Sequence, residues 1–290
     1  MKIAVYSRKC DEDEILFIKS VVTTLASRGC EIVFHQICHC PQLSGKFVFF
    51  ANHTDLANIK DVDFLLSFGG DGTFIDAANL VGDLNIPLVG INTGRIGFLT
   101  AINRNNYKEC LTKLLSGQYV VEKRSLLHLS CLKSLDLPSD FALNDITVRT
   151  SDDNSITAIK VFVGGKPVNT YWGDGLIIST PTGSTAYSLS CGGPIIVPST
   201  NVNVLTPIAS HTLGVRPIVV SADEEIRIVV ESRNNSFSLA LDSNRVVVEN
   251  PVELLITKEK FSIQTVLFDD TDFYRIIREK LLWGIDKRNF

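Results

Sequence analysis

The run Val62-Asp63-Phe64-Leu65-Leu66-Ser67-Phe68 passes without a break into Gly69-Gly70-Asp71-Gly72-Thr73. A short apolar run bounded by glycines predicts a buried strand, and Thr73 to Leu80 has the apolar spacing of a helix. Strand, glycine turn and helix in direct succession constrain this part of the chain to a parallel α/β arrangement. Glycines at 69, 70 and 72 allow positive φ and close approach of a ligand to the backbone. The free N–H groups and dipole at the start of the following helix favour an anion there. A carboxylate at position 71 repels bound phosphate unless it holds a metal ion or takes a proton from an attacking hydroxyl, and phosphoryl transfer has a use for both. Gly-Asp-Gly by itself is also a common turn. The weight of the phosphate reading therefore depends on what surrounds it.

The first hundred residues alternate strand and helix signals. Ile3 to Tyr6 reads as a strand, Asp11 to Arg28 as an amphipathic helix opened by acids and closed by Gly29, and Glu31 to Ile37 as a second strand. Ile86 to Asn92 makes a further buried strand, and on a parallel sheet ligands bind at the carboxyl ends, where both Asp71 and Asn92 fall. After a helix at about Asn103 to Leu115, the pattern changes to short β runs at Tyr119 to Glu122, Leu126 to Leu132, Ile156 to Val163 and Ile226 to Val230. Asp272 to Trp283 is helical again, with one apolar face that predicts packing back onto the body of the protein.

A chain of 290 residues with 45% hydrophobic content is long enough to bury one large or two ordinary cores. Its formal charge of −4 argues against non-specific binding to nucleic acid or to an anionic membrane. The start, Met1 to Tyr6, reads as a strand rather than a secretory leader, and no apolar stretch is long enough to span a bilayer, so a cytoplasmic protein is expected. Seven cysteines, at 10, 30, 38, 40, 110, 131 and 191, suit a reducing compartment better than a disulfide framework. His35, Cys38, His39 and Cys40 have the residue types of a zinc set, yet no second pair at ligand spacing completes it, and a strand end with its loop is the competing reading.

Two more clusters follow strands. In Asn92-Thr93-Gly94-Arg95-Ile96-Gly97-Phe98-Leu99, Arg95 is either a phosphate ligand or half of an ion pair. Thr180-Pro181-Thr182-Gly183-Ser184-Thr185-Ala186-Tyr187-Ser188-Leu189-Ser190-Cys191-Gly192-Gly193-Pro194 supplies hydroxyls suited to a ribose or amide and a ring, Tyr187, for stacking. A hydroxyl-rich helix cap is the plainer alternative.

Gly69 to Thr73, Asn92 to Leu99, Asn144-Asp145 and Thr180 to Pro194 resemble, in order and spacing, the NAD kinases, and the resemblance covers nearly the whole chain. The glycine-Asp motif is shared with phosphofructokinases and lipid kinases, whereas the Pro181 to Tyr187 segment is much more specific. The resemblance implies a Rossmann-like α/β nucleotide-binding domain at 1–118, a β-rich NAD-binding domain at 119–270 and a helix at 271–290 returning to the first domain. It implies transfer of the γ-phosphoryl group of ATP to the 2′-hydroxyl of the adenosine ribose of NAD, a divalent ion such as Mg²⁺ held by nucleotide oxygens rather than by a set of protein ligands, and a homodimer or homotetramer.

Carried over residue by residue, Asp71 corresponds to the catalytic base and Gly72 to a backbone contact near the dinucleotide. Asn144-Asp145 corresponds to an Asn-Glu pair that binds ribose and amide edges, with Asp145 one methylene shorter than the family residue. Asp174 matches an acid that contacts a base or amide. Thr185, Ala186, Tyr187, Ser188, Leu189 and Ser190 match the adenosine-binding stretch, and Asn244 falls in a turn that reaches the ligand. Trp172 replaces the basic or polar residue of many members, which leaves stacking in place of a charged contact. His211 reads as a strand-end histidine. Two rival readings stay open at this stage: a lipid or sugar kinase sharing the glycine-Asp motif, and a dinucleotide sensor without catalysis.

Overall fold

A computed structural model describes residues 1–9, 11–38, 48–94, 97–100, 102–131, 135–151, 156–232, 235–249, 252–268 and 272–283. Arg95, Ile96, His39 and Cys40 lie outside the described residues. The chain forms two compact units, 1–123 with 263–290, and 124–262.

The first unit contains β1 (Lys2–Ser7), α1 (Glu12–Ala26), β2 (Glu31–His35), β3 (Val48–Phe50), α2 (His53–Asn58), β4 (Val62–Phe68), α3 (Asp71–Val81), β5 (Leu88–Asn92), β6 (Ile102–Asn103), α4 (Tyr107–Leu115) and β7 (Val120–Arg124). The second contains β8 (Leu127–Cys131), β9 (Phe141–Ala142), β10 (Asp145–Thr150), β11 (Thr157–Val163), β12 (Lys166–Gly173), β13 (Gly175–Ser179), α5 (Tyr187–Ser190), β14 (Val202–Ile208), β15 (Ile218–Ser221), β16 (Ile226–Ser232), β17 (Ser236–Leu241), β18 (Asn244–Glu249) and β19 (Val252–Lys258). The chain then returns to the first unit as β20 (Ile263–Leu267) and α6 (Phe273–Leu281).

The strands of the first unit run in the order β3-β2-β1-β4-β5-β20-β7, with β6 beside β5. The pairs from β3 through to β20 are parallel, as the alternating sequence pattern requires. Strands β1, β4 and β5 are buried on both faces, and Val5, Leu66 and Val89 share a core with Phe17, Val21 and Leu25 of α1. Helix α1 starts where Asp11 caps it: its carboxylate accepts a hydrogen bond from the Glu14 N–H at 2.9 Å. The second strand is two residues shorter than its apolar run, because Gln36–Cys38 close into a 3₁₀ turn. Helix α4 begins four residues later than its pattern. Asn103 and Asn106 are used instead in a local turn, where Asn106 Oδ1 accepts from the Asn103 N–H at 2.7 Å.

The second unit is two antiparallel six-stranded sheets, β15-β14-β13-β10-β17-β18 and β12-β11-β16-β19-β8-β9. Alternate residues of both, among them Ile146, Val148, Ile159, Val161, Ile228 and Leu239, form one core. The chain crosses between the sheets at Gly173-Asp174-Gly175. Gly173 pairs with Thr157 in one sheet, and Gly175 pairs with Arg149 in the other. A Cβ at 173 would lie 2.8 Å from the Ala209 carbonyl oxygen and one at 175 would lie 2.2 Å from that of Val148, so both positions require glycine.

Candidate active site

In the first unit the glycine turn follows β4 directly. Gly69 has φ +147, and a Cβ there would stand 2.3 Å from Thr73 Oγ1, so the turn admits only glycine. Helix α3 has Gly70 at its N-cap with no side-chain cap, which leaves its leading amides to a ligand or water. Asp71 is the first helical residue. Its Oδ2 accepts from the Phe98 N–H at 2.8 Å and its Oδ1 from the Leu99 N–H at 3.0 Å. An oxygen accepting one hydrogen bond keeps a further lone-pair direction, so the carboxylate is fixed in orientation and still able to take a proton.

The second glycine cluster exists to make that clamp. A Cβ on Gly97 would fall 1.7 Å from Asp71 Oδ1, so this backbone reaches the carboxylate only without a side chain. Asn92, at the carboxyl end of β5, shapes the loop: its Oδ1 accepts from the Gly94 N–H at 2.8 Å and its Nδ2 donates to Thr100 Oγ1 at 2.9 Å. The Lys280 ammonium of α6 stands 5.7 Å from the centre of the Phe98 ring, which ties the returning helix to the same loop. On the other side of the turn, Arg8 donates from Nε and Nη2 to the two oxygens of Asp76, each at 2.6 Å, and its Nη2 is 3.4 Å from the Gly72 carbonyl. Tyr6 Oη donates to the same Asp76 carboxylate at 3.1 Å. Sequence reading gave Arg8 and Asp76 no part.

In the second unit the Leu143-Asn144-Asp145 turn is held by Asp242, a residue passed over in the sequence in favour of Asn244. One Asp242 carboxylate accepts from the N–H groups of Leu143 at 2.8 Å, Asn144 at 2.7 Å and Asp145 at 3.1 Å. Burial raises the Asp242 carboxyl above its ordinary range, and these three amides oppose the rise. The other side of the turn is held by Thr180, whose Oγ1 donates to the Leu143 carbonyl at 2.6 Å and accepts from the Gly183 N–H at 3.0 Å. Gly183 is obligatory, since a Cβ there would lie 2.1 Å from the Asn144 carbonyl oxygen.

Asp145 is buried at the start of β10. Desolvation pushes its carboxyl up to about 7, with the Asp242 charge adding to the rise and a 2.9 Å hydrogen bond from Thr147 Oγ1 opposing it. The Asn144 side chain makes no hydrogen bond to the described residues and is half-buried, so its amide is open to a ligand. Tyr187 opens α5 half-buried, and burial raises its hydroxyl, with Cys191 beside it.

Several hydroxyls of the third cluster have structural partners within the fold. Ser188 is buried and shares a 2.8 Å hydrogen bond with Thr206, Ser184 Oγ donates to the Pro181 carbonyl at 2.6 Å, and Thr185 Oγ1 donates to that of Thr182 at 3.1 Å. These hydroxyls build the segment's shape. Ala186 and Leu189 are half-exposed and Ser190 is exposed on the same short stretch. Asp174 sits at the crossing between the sheets with its backbone N–H bonded to Ile208 O at 3.1 Å. Asn244 starts β18 opposite Leu241. Trp172 is about half exposed and its carbonyl accepts from the N–H of the exposed His211 at 2.8 Å. His35 is engaged at both ring nitrogens, with Ala51 O at 2.9 Å and the Ile37 N–H at 3.2 Å, which favours the strand-end reading over a zinc ligand.

The sequence matches two family models, ATP-NAD kinase N-terminal domain over residues 13–119 and ATP-NAD kinase C-terminal domain over 143–268. It is 38% identical over 295 residues to the NAD kinase of Cytophaga hutchinsonii, covering 100% of both chains. Among solved structures, an NAD kinase from Archaeoglobus fulgidus in complex with ATP superposes with a TM-score of 0.76 at 27% identity, over 97% of this chain and 99% of that one. Yeast NADH kinase complexed with NADH shares the fold with a TM-score of 0.87 at 22% identity, over 100% of this chain and 89% of that one. The glycine turn with its clamped acid, the Asn-Asp turn and both matched domains place this chain in the NAD kinase family.

Proposed function

We propose that the enzyme transfers the γ-phosphoryl group of ATP to the 2′-hydroxyl of the adenosine ribose of NAD, with Asp71 as the proton acceptor. The observation that carries this reading is the fixed Asp71 carboxylate at the first residue of α3, beside uncapped helix amides. A ribose hydroxyl is a poor nucleophile near neutral pH. As its oxygen bonds to the γ-phosphorus, the bond from that phosphorus to the β–γ bridging oxygen breaks, ADP leaves, and the hydroxyl proton passes to Asp71. Leading amides of α3 and the Gly72 backbone receive phosphate oxygens in this reading.

Asn144 and Asp145 hold ribose and amide edges of the dinucleotide, Tyr187 stacks, and Asp174, Thr185, Ala186, Ser188, Leu189, Ser190 and Asn244 complete its surroundings by contact or by shape. The free amide of Asn144 and the raised carboxyl of Asp145 support the first two assignments, since a buried acid perturbed this far is a functional-site signal. Mg²⁺ enters with the donor as part of the substrate. The acids nearest the glycine turn support that: Asp76 is engaged by Arg8 and Tyr6, and Asp71 by itself is not the set of carboxylates that cages an ion. Family resemblance supports a cytoplasmic homodimer or homotetramer. No helix among the described residues is long and apolar enough to cross a membrane.

The test is NADP formation from NAD, ATP and Mg²⁺ by wild type and Asp71→Asn, read with an NADP-specific dehydrogenase. Loss of the base is expected to lower turnover by about 10²- to 10⁴-fold while NAD binding persists. Undiminished turnover in Asp71→Asn removes the acid from the mechanism, and NAD binding without any NADP from wild type points to a sensor.

A further inference from the structure

At one end of the second unit, three side chains from neighbouring segments converge on a point that the proposed reaction does not use. His128 lies on β8, Asp140 immediately precedes β9, and Glu259 immediately follows β19. β8 runs between the other two strands, with His128 opposite Phe141 on one side and Thr257 on the other. Residues two apart on a strand share a face, so Glu259 continues the face of Thr257 and comes up beside His128. The backbone holds this register, since the Leu129 N–H donates to Asp140 O at 2.7 Å and the Glu259 N–H to Leu126 O at 2.9 Å.

His128 Nδ1 is 2.8 Å from Glu259 Oε2 and 3.9 Å from Asp140 Oδ2, and one ligand atom from each residue lies within 4.8 Å of the others. Ligands about 2.1 Å from a tetrahedral zinc stand about 3.4 Å apart, a value that these two distances bracket. Nδ1 is buried and, at 2.8 Å from Glu259 Oε2, is close to it without the alignment of a hydrogen bond. Glu259 is itself oriented, its second oxygen accepting from the Lys260 N–H at 2.6 Å, and only 10% of its side chain is exposed. Asp140 also lines a cavity of about 440 Å³ with Leu129, Leu137 and Ser139, so the outer side of the cluster is open.

We infer that His128, Asp140 and Glu259 bind one divalent cation of the zinc class, a site distinct from the Mg²⁺ that accompanies the phosphate donor. One imidazole and two carboxylates suit Zn²⁺, Co²⁺ or Mn²⁺ better than Mg²⁺, which prefers oxygen ligands. The ion ties β9 to β8 and to the end of β19. Because β9 runs through Ala142 into the turn at Leu143 to Asp145, the ion also fixes where that turn begins.

The test strips the full-length protein with EDTA, removes the chelator, and titrates Co²⁺ by visible absorption and Zn²⁺ by calorimetry, without nucleotide. One equivalent per chain is expected, with affinity about tenfold or more weaker in His128→Gln and Asp140→Asn. Asp140 is largely exposed, at 70%, so Asp140→Asn carries the test if His128→Gln does not fold. Zn²⁺ is also expected to raise the unfolding temperature of wild type and not of the variants. No saturable binding up to millimolar Zn²⁺, or affinity unchanged in Asp140→Asn, would leave His128 and Glu259 as a plain ion pair and overturn the inference.

Discussion

Replacing Gly97 by alanine tests whether the clamp on Asp71 sets the rate. The added methyl would stand 1.7 Å from Asp71 Oδ1, against about 3.3 Å for an ordinary carbon–oxygen contact, so one of them must retreat by about 1.6 Å. The loop cannot retreat alone without giving up the 2.8 and 3.0 Å bonds from Phe98 and Leu99, and Asp71 cannot retreat without leaving the same bonds. A misplacement of about 1 Å at a reacting group can cost about 10²-fold, or about 2.7 kcal/mol in the barrier. Overpacking is expected to cost a further ~1–3 kcal/mol of stability. Steady-state NADP formation and a circular dichroism melt measure the two separately. The expected outcome is a folded variant with kcat about 100-fold lower and KM for NAD and ATP changed far less. Gly214→Ala, where no atom lies within 4 Å of the new carbon, controls for the substitution itself. Folded Gly97→Ala with kcat within about threefold of wild type would refute the reasoning, because the base would then tolerate displacement.

Asp145 gives the second unit a pH-dependent stability. Its folded carboxyl is raised to about 7 from 3.8, so its contribution is fully present below about pH 4 and is lost as pH rises through 7, up to about 4 kcal/mol in all. Urea unfolding of wild type at pH 5 and pH 8 should show this decline, and Asp145→Asn should flatten it; parallel curves for the two proteins would exclude Asp145 as its source. Asp242→Ala orphans three amides, those of Leu143, Asn144 and Asp145, and is expected to destabilise by about 3–5 kcal/mol and to raise KM for NAD. A melt within about 1 °C of wild type would show that the turn holds without it.

The alternating half of the fold was legible because β1, β4 and β5 are buried on both faces and so read as unbroken apolar runs. Strand β3 and helix α2 were missed, being three and six residues long with little periodicity to show. The β-rich unit was visible as a class while its strand order was not, since pairing such as β10 with β17 joins residues far apart in sequence. At the site, Asp71 stood out because acid among glycines is locally unusual. Asp242 did not, because its meaning lies in amides almost a hundred residues away, as the Asn144 contact illustrates. The signal that could have found it is the two-residue turn Asp242-Ser243 between two strand patterns, where an acid suits a tight turn. Among the serines and threonines at 180–188, Thr180, Ser184 and Thr185 also hold local backbone, a task that the ligand-binding reading of their hydroxyls did not include.

The first unit is interrupted, leaving at Lys123 and resuming at Ile263. During synthesis its parallel sheet therefore stands incomplete while roughly 140 residues of the second unit are made, on the order of 7–30 s at ribosomal speed. For that interval the flank of β5 that later receives β20, at Leu88 opposite Thr265, is an unpaired edge. A nascent chain of this protein is thus most vulnerable to wrong pairing after its first 123 residues have been translated and before the strand Ile263–Leu267 has left the ribosome. Fragments ending near residue 123 inherit that open edge permanently, and co-expressing the missing C-terminal strand and helix is the direct way to close it.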